Sequence, residues 1–179
     1  MIHQGKCGGS SIKKAMQSLG KQYNFDVVHC NGHLKIKEVR AIIEDYGDTP
    51  DDYLKFTIVR NPWDRTVSWY YHFLMHHQLT VPETPFEPWL IEHGIKLSFL
   101  DESCFDYCMR MENIDSDFGQ LLKKLNIPHH NIDCHIHYNT GRPNTDYKGY
   151  YNEKTSEMVR QKNKDIINQF NYKFHEDIN

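Results

Sequence analysis

Apolar residues fall three and four apart over 11–20, where Ile12, Ala15, Met16 and Leu19 share one face of a helix and Gly20 stands where it would stop. Residues 1–4 read as the stub of a strand that ends at glycines. The next apolar group, "FDVVHC" at 25–30, is continuous instead of periodic and predicts a short buried strand. Helical spacing returns in "IKEVRAIIEDYG" over 36–47, which turns Val39, Ile42, Ile43 and Tyr46 inward. "YLKFTIV" at 53–59 predicts a strand, and "DRTVSWYYHFLMHH" at 64–77 a helix. A β-α-β-α-β-α order of this kind predicts an α/β fold, a central parallel sheet flanked by crossover helices.

Beyond residue 77 the pattern is less regular. "TVPETPFEP" at 80–88 holds three prolines and reads as a loop. "FDYCMRM" at 105–111 is a candidate strand, and "DSDFGQLLKKLNI" at 115–127 an amphipathic helix behind its cap residues. The polar, aromatic stretch 137–155 reads as irregular. A last helix over 153–170 carries Val159, Ile166, Ile167 and Phe170 inward. Nothing between these segments reads as a linker, so one domain over 1–179 is expected.

Composition narrows the function. A net charge of −3 argues against a general nucleic-acid binder, so any anion must be held by a local cluster of cations. No apolar run approaches the roughly 20 residues of a membrane span. The five cysteines, Cys7, Cys30, Cys104, Cys108 and Cys134, are odd in number and lack a repeated spacing, which points to a reducing compartment such as the cytoplasm. Cys104 and Cys108 with "HHNIDCHIH" at 129–137 match no familiar zinc spacing, and no metal site is expected.

The chemistry begins at "IHQGKCGGSSIKKAM", residues 2–16. Glycines let a backbone wrap an anion, and the helix behind them offers unpaired N–H groups and a positive dipole end. The plain alternative is a glycine turn with a serine cap. In the NTP-hydrolysing P-loop a lysine follows the glycines, directly before the Ser or Thr. Here Lys6 precedes them, which disfavours a small-molecule kinase.

The stretch His3-Gln4-Gly5-Lys6-Cys7-Gly8-Gly9-Ser10-Ser11 resembles the first motif of sulfotransferases that use 3′-phosphoadenosine 5′-phosphosulfate (PAPS). The likeness is greatest to the carbohydrate group that includes heparan sulfate 2-O-sulfotransferases and bacterial members. Gly5 stands where that motif usually has proline. "FTIVRNPWDRTVSWYYHF" at 56–73 resembles the family's 3′-phosphate segment, with Arg60 at a strand end and Ser68 eight residues on. Taken singly, Arg60 could be a surface salt bridge and Ser68 an exposed helix position. "MRMENIDSDFGQLLKKLNI" and the polar stretch at 137–155 also resemble the family's later segments. Glu112 and Asn113 within them read as a helix-entry cap.

The resemblance implies a P-loop-like sulfotransferase fold and transfer of a sulfuryl group from PAPS to an acceptor hydroxyl, expected on a carbohydrate. It implies that Gly8, Gly9, Ser10 and Ser11 cradle the 5′-phosphosulfate, that Lys6 neutralises the leaving phosphate, and that Arg60 and Ser68 hold the 3′-phosphate. Arg142 and Lys148 would close over the cofactor, unless they are solvated loop charges. No metal is called for, because a lysine can neutralise the leaving group. By position His33 matches the family's general base, with His29 as the alternative. Trp69, Tyr70, Tyr71 and Trp89 could stack on sugar rings, but their helical setting suits core positions first. The strand feeding the first motif looks abbreviated or truncated, which leaves room for a PAP-binding remnant without catalysis. Relatives anchored in Golgi membranes would place a chain that had lost its anchor in that lumen.

Overall fold

The computed structural model describes residues 1–2, 4–28, 36–97, 104–128, 142 and 146–174. In chain order its elements are helices α1 (Gly9–Tyr23) and α2 (Ile36–Asp45), strand β1 (Phe56–Val59), helices α3 (Pro62–His77) and α4 (Phe86–His93), strand β2 (Tyr107–Arg110), and helices α5 (Ile114–Lys124), α6 (Glu153–Lys162) and α7 (Lys164–Gln169). Short 3₁₀ turns lie at Pro50–Asp52, Met111–Asn113 and Lys148–Tyr150. The chain packs as two compact units, one of 1–59 with 101–138 and one of 60–100 with 139–179.

The first unit is built on β1. All four of its residues are buried, as a strand covered on both faces requires. It pairs in parallel with β2, in the register Phe56 to Tyr107 through Val59 to Arg110. On its other edge Ile2 forms a parallel bridge to Thr57, with Ile2 N–H donating to Phe56 O at 3.0 Å and the Thr57 hydroxyl donating to Ile2 O at 3.0 Å. Asp106 fixes the start of the pairing, because its carboxylate accepts from Lys55 N–H at 2.6 Å while its own N–H donates to Lys55 O at 2.7 Å. Ile12, Met16 and Leu19 of α1 and Phe118, Leu121 and Leu122 of α5 cover this sheet in one apolar cluster.

In the second unit α3 carries the core. Trp63, Val67, Tyr70 and Leu74 recur along one face and are buried. Trp63 donates its indole N–H to Ser156 O at 2.9 Å, which ties α3 to α6. Asn152 caps α6 in a capping box with Thr155. Buried Asn163 divides α6 from α7; its amide donates to Ile95 O and Val159 O, and its oxygen accepts from Leu97 N–H at 2.8 Å.

Several expectations change. The parallel sheet is present but small, two strands and a bridge. Residues 25–28 form no strand; Phe25 N–H closes α1 on Gly20 O at 3.1 Å, and Val28 O accepts from the Met1 amine at 2.9 Å. Residues 29–30 lie outside the described set. Gly20 is not a stop. The helix runs on to Tyr23, and glycine is needed because a Cβ there would stand 2.6 Å from Phe25 O. Tyr46 points outward, 83% exposed, because α2 has already ended at Asp45. A helix begins inside the proline-rich stretch, with Pro85 at its N-cap and Pro88 in its first turn, where missing N–H groups cost nothing. The last helix is two.

Candidate functional site

The chain leaves its bridge at Ile2 and turns within a few residues to open α1. Cys7 is the pivot: fully buried, its N–H donates to Gln4 O at 3.3 Å and its thiol to Gly5 O at 3.7 Å. On either side of it φ is positive, 63° at Lys6 and 75° at Gly8. Left-handed residues on both sides of Cys7 make a tight turn, a class of backbone that recurs in anion-binding loops. The positive φ is what favours glycine at Gly8; a Cβ there would also meet Met111 Sδ at 2.5 Å, the flexible end of a side chain that can shift. Lys6 differs from the other non-glycine residues of positive φ among those described. Asn24, Gln78, Asn126 and Asn171 all follow helix ends, whereas Lys6 precedes a helix. A left-handed lysine costs on the order of 1–3 kcal/mol, strain of the kind that gathers at functional sites.

Gly8 is also the N-cap of α1, and no side chain caps it. Ser10 and Ser11 lie inside the first turn, so neither is the serine cap of the plainer alternative. The Ser11 N–H donates to Gly8 O at 3.1 Å, and the helix start carries a positive dipole end with no acid in its first turn. Lys6, Gly8, Gly9, Ser10 and Ser11 thus form one continuous turn and helix start.

In the second unit Arg60 directly precedes Asn61, the N-cap of α3, whose side-chain oxygen accepts from Trp63 N–H at 3.0 Å and Asp64 N–H at 3.4 Å. Arg60 Nε donates to Asp64 Oδ2 at 2.7 Å, and Arg142 Nη1 to Asp64 Oδ1. The structure thereby joins Arg60 and Arg142 through a carboxylate that the sequence reading had not singled out. Only their i, i+4 spacing hinted at the Arg60–Asp64 pair. Ser68 follows one turn later on the same face, half-buried. Lys148 belongs to the turn Lys148–Tyr150, which reaches α3 through a 2.9 Å contact between the Tyr150 and Tyr71 hydroxyls.

Tyrosines line this cluster. Burial, and then the bond to Tyr150, pushes the Tyr71 phenol far above its ordinary value. Burial does the same for Tyr151, which donates to Trp63 O at 2.8 Å. Tyr70 and Trp89 are core residues, packed with Phe86, while Trp69 and Tyr71 are half-buried. Asn113 occupies the N-cap of α5 but makes no capping bond with its side chain; the nearby Arg110 N–H is held instead by Asp117 Oδ2 at 2.6 Å.

The candidate bases His33 and His29 and the motif's His3 lie outside the described residues. A cavity of about 490 Å³ in the first unit is lined by Met16, Phe25, Val39, Ile43, Leu54 and Ile127 among others, and by none of the site residues. No described helix is long and apolar enough to cross a membrane, and no group of three or more metal-ligating side chains gathers among the described residues.

Two outcomes follow from this geometry. Gly8→Ala should cost about 1–2 kcal/mol from the left-handed backbone alone, read as a lower urea midpoint, and adding Met111→Ala should not recover that part. The raised phenols of Tyr71 and Tyr151 add a pH dependence. Their contribution to stability is complete below the unfolded value of about 10 and is lost as pH rises from there toward the folded values. Urea unfolding between pH 9 and 11 should therefore show stability falling above about pH 10, less steeply in Tyr71→Phe.

A family model described as the sulfotransferase family matches residues 3–96. Searches of curated proteins and of solved structures give no match. The matched span takes in the Lys6–Ser11 turn and the Arg60–Ser68 segment, and it covers more than half of the 179 residues. The chain belongs to the sulfotransferase family, and its chemistry is transfer of a sulfuryl group to a hydroxyl-bearing acceptor.

Proposed function

We propose that residues 1–179 act as one PAPS-dependent sulfotransferase domain whose acceptor is a carbohydrate hydroxyl. The observation that carries the reading is the strained turn at Lys6 and Gly8 opening onto the uncapped start of α1, in a chain of this family. The 5′-phosphosulfate goes to the N–H groups and hydroxyls of 8–11. The 3′-phosphate goes to Arg60 and Ser68, with Arg142 beside Arg60 and Lys148 closing from the following turn. A guanidinium fork and a hydroxyl suit a doubly charged phosphate ester, and each charge-assisted bond contributes roughly 1.5–3 kcal/mol.

In the reaction the acceptor oxygen forms a bond to sulfur as the bond from sulfur to the 5′-phosphate oxygen breaks. The acceptor proton passes to a base, for which His33 is our candidate, with an imidazole suited to neutral pH. Lys6 stabilises the charge that develops on the departing phosphate, so no metal is needed for that task. The products are a sulfate ester and 3′-phosphoadenosine 5′-phosphate (PAP).

Thermal unfolding tests the cofactor. PAP at 100 times its dissociation constant should add about 2.7 kcal/mol, roughly 5–10 °C, without magnesium. The shift should exceed that from ADP and shrink in Arg60→Ala; equal shifts from PAP and ADP would refute the assignment. Lys6→Ala should lose about 10²–10³ in kcat with PAPS and a carbohydrate acceptor, and should also shrink the PAP shift, because the charge that Lys6 offsets is fully present in PAP.

A further inference from the structure

We propose that Asp64 is the positioning residue of the 3′-phosphate pocket, the carboxylate that aligns Arg60 and Arg142 before the nucleotide arrives. The proposal rests on the PAPS reading above and adds a residue to it. Asp64 Oδ2 accepts from Arg60 Nε at 2.7 Å and Asp64 Oδ1 accepts from Arg142 Nη1, so each oxygen holds one guanidinium. Arg142 comes to this carboxylate from 78 residues away, whereas Arg60 stands four residues before it. All three side chains are largely shielded, with 12–17% of their surface exposed, so the pairs escape most of the screening that weakens surface ion pairs.

The mounting of Asp64 is rigid. Pro62 fixes the first helical φ, and the Asn61 side chain holds the N–H groups of Trp63 and Asp64. An acid in the first turn is favoured by the helix dipole. The trio of Arg60, Asp64 and Arg142 carries one more positive charge than negative, and a phosphate ester complements it. A guanidinium held by one edge keeps its plane and its remaining N–H groups in a set direction, which lowers the ordering cost of binding. Ser68, one turn further along α3, completes a face on which Asp64 orients and the other groups bind.

The test separates the contribution of the 3′-phosphate from that of the rest of the nucleotide. Calorimetric titration of the full chain with AMP and with PAP gives the dissociation constant for AMP divided by that for PAP, a ratio that isolates the 3′-phosphate. Asp64→Asn should lower that ratio by about tenfold and leave AMP binding unchanged, since one charge-assisted bond per arginine weakens. Asp64→Glu keeps the charge but lengthens the arm, and should give an intermediate ratio. A ratio unchanged in Asp64→Asn would overturn the proposal, as would tighter PAP binding, which would make Asp64 a competing counter-ion. A wild-type ratio in Asp64→Glu would reduce the role to charge alone and overturn positioning. If Asp64→Asn does not fold, Asp64→Glu carries the test alone: its ratio must fall below that of wild type with AMP binding unchanged, or the proposal fails. A wild-type protein that binds PAP no better than AMP would refute the PAPS reading itself; discrimination by wild type that survives in Asp64→Asn refutes only the role of Asp64.

Discussion

Everything in the first unit depends on a four-residue strand hydrogen-bonded along both edges. β1 takes β2 on one side and the Ile2 bridge on the other, and each of its residues is buried. Because the pairing is parallel, the chain after Ile2 must emerge at the carboxyl edge of the sheet, the edge where open α/β sheets hold their ligands. The turn at Lys6 follows from that exit. Its strain is held in place by packing: Cys7 is sealed in the core, and Met111, which follows β2, lies against Gly8. A left-handed lysine persists only where its surroundings over-determine it.

The second unit solves a different problem, which is to hold cationic side chains steady while partly withdrawn from water. Asn61 and Pro62 set the start of α3, and Asp64 gathers two guanidiniums there. Tyr71, Tyr150 and Tyr151 stand around them, and burial raises the phenols of Tyr71 and Tyr151. Tyr151 donates to Trp63 O and the Tyr71 and Tyr150 hydroxyls bond each other, so these neutral groups tie the framework around the charged centre without adding repulsion.

The helices were largely legible in the sequence. Ile12, Ala15, Met16 and Leu19 of α1 and Val159, Ile166, Ile167 and Phe170 near the end are buried as their spacing required. Helix spacing records a one-sided local environment, so a window of residues contains most of the information. The errors lay where a local signal was overruled by a distant partner. Gly20 looked like a stop, yet it is a glycine because Phe25 O presses on it. Residues 25–28 looked like a strand, yet a strand exists only by its neighbour, and their backbone bonds go to α1 and to Met1.

The sequence by itself determined that glycines and a lysine stand directly before a helix at 5–11 and that Arg60 ends a strand with a serine eight residues on, because glycine conformation and short spacings are local properties. Only the tertiary structure decided that Lys6 adopts a left-handed backbone, that no serine caps α1, and that Arg142 reaches Asp64 across 78 residues. Those features depend on which distant groups share a space, and a carboxylate takes its second arginine from whichever segment the packing brings to it.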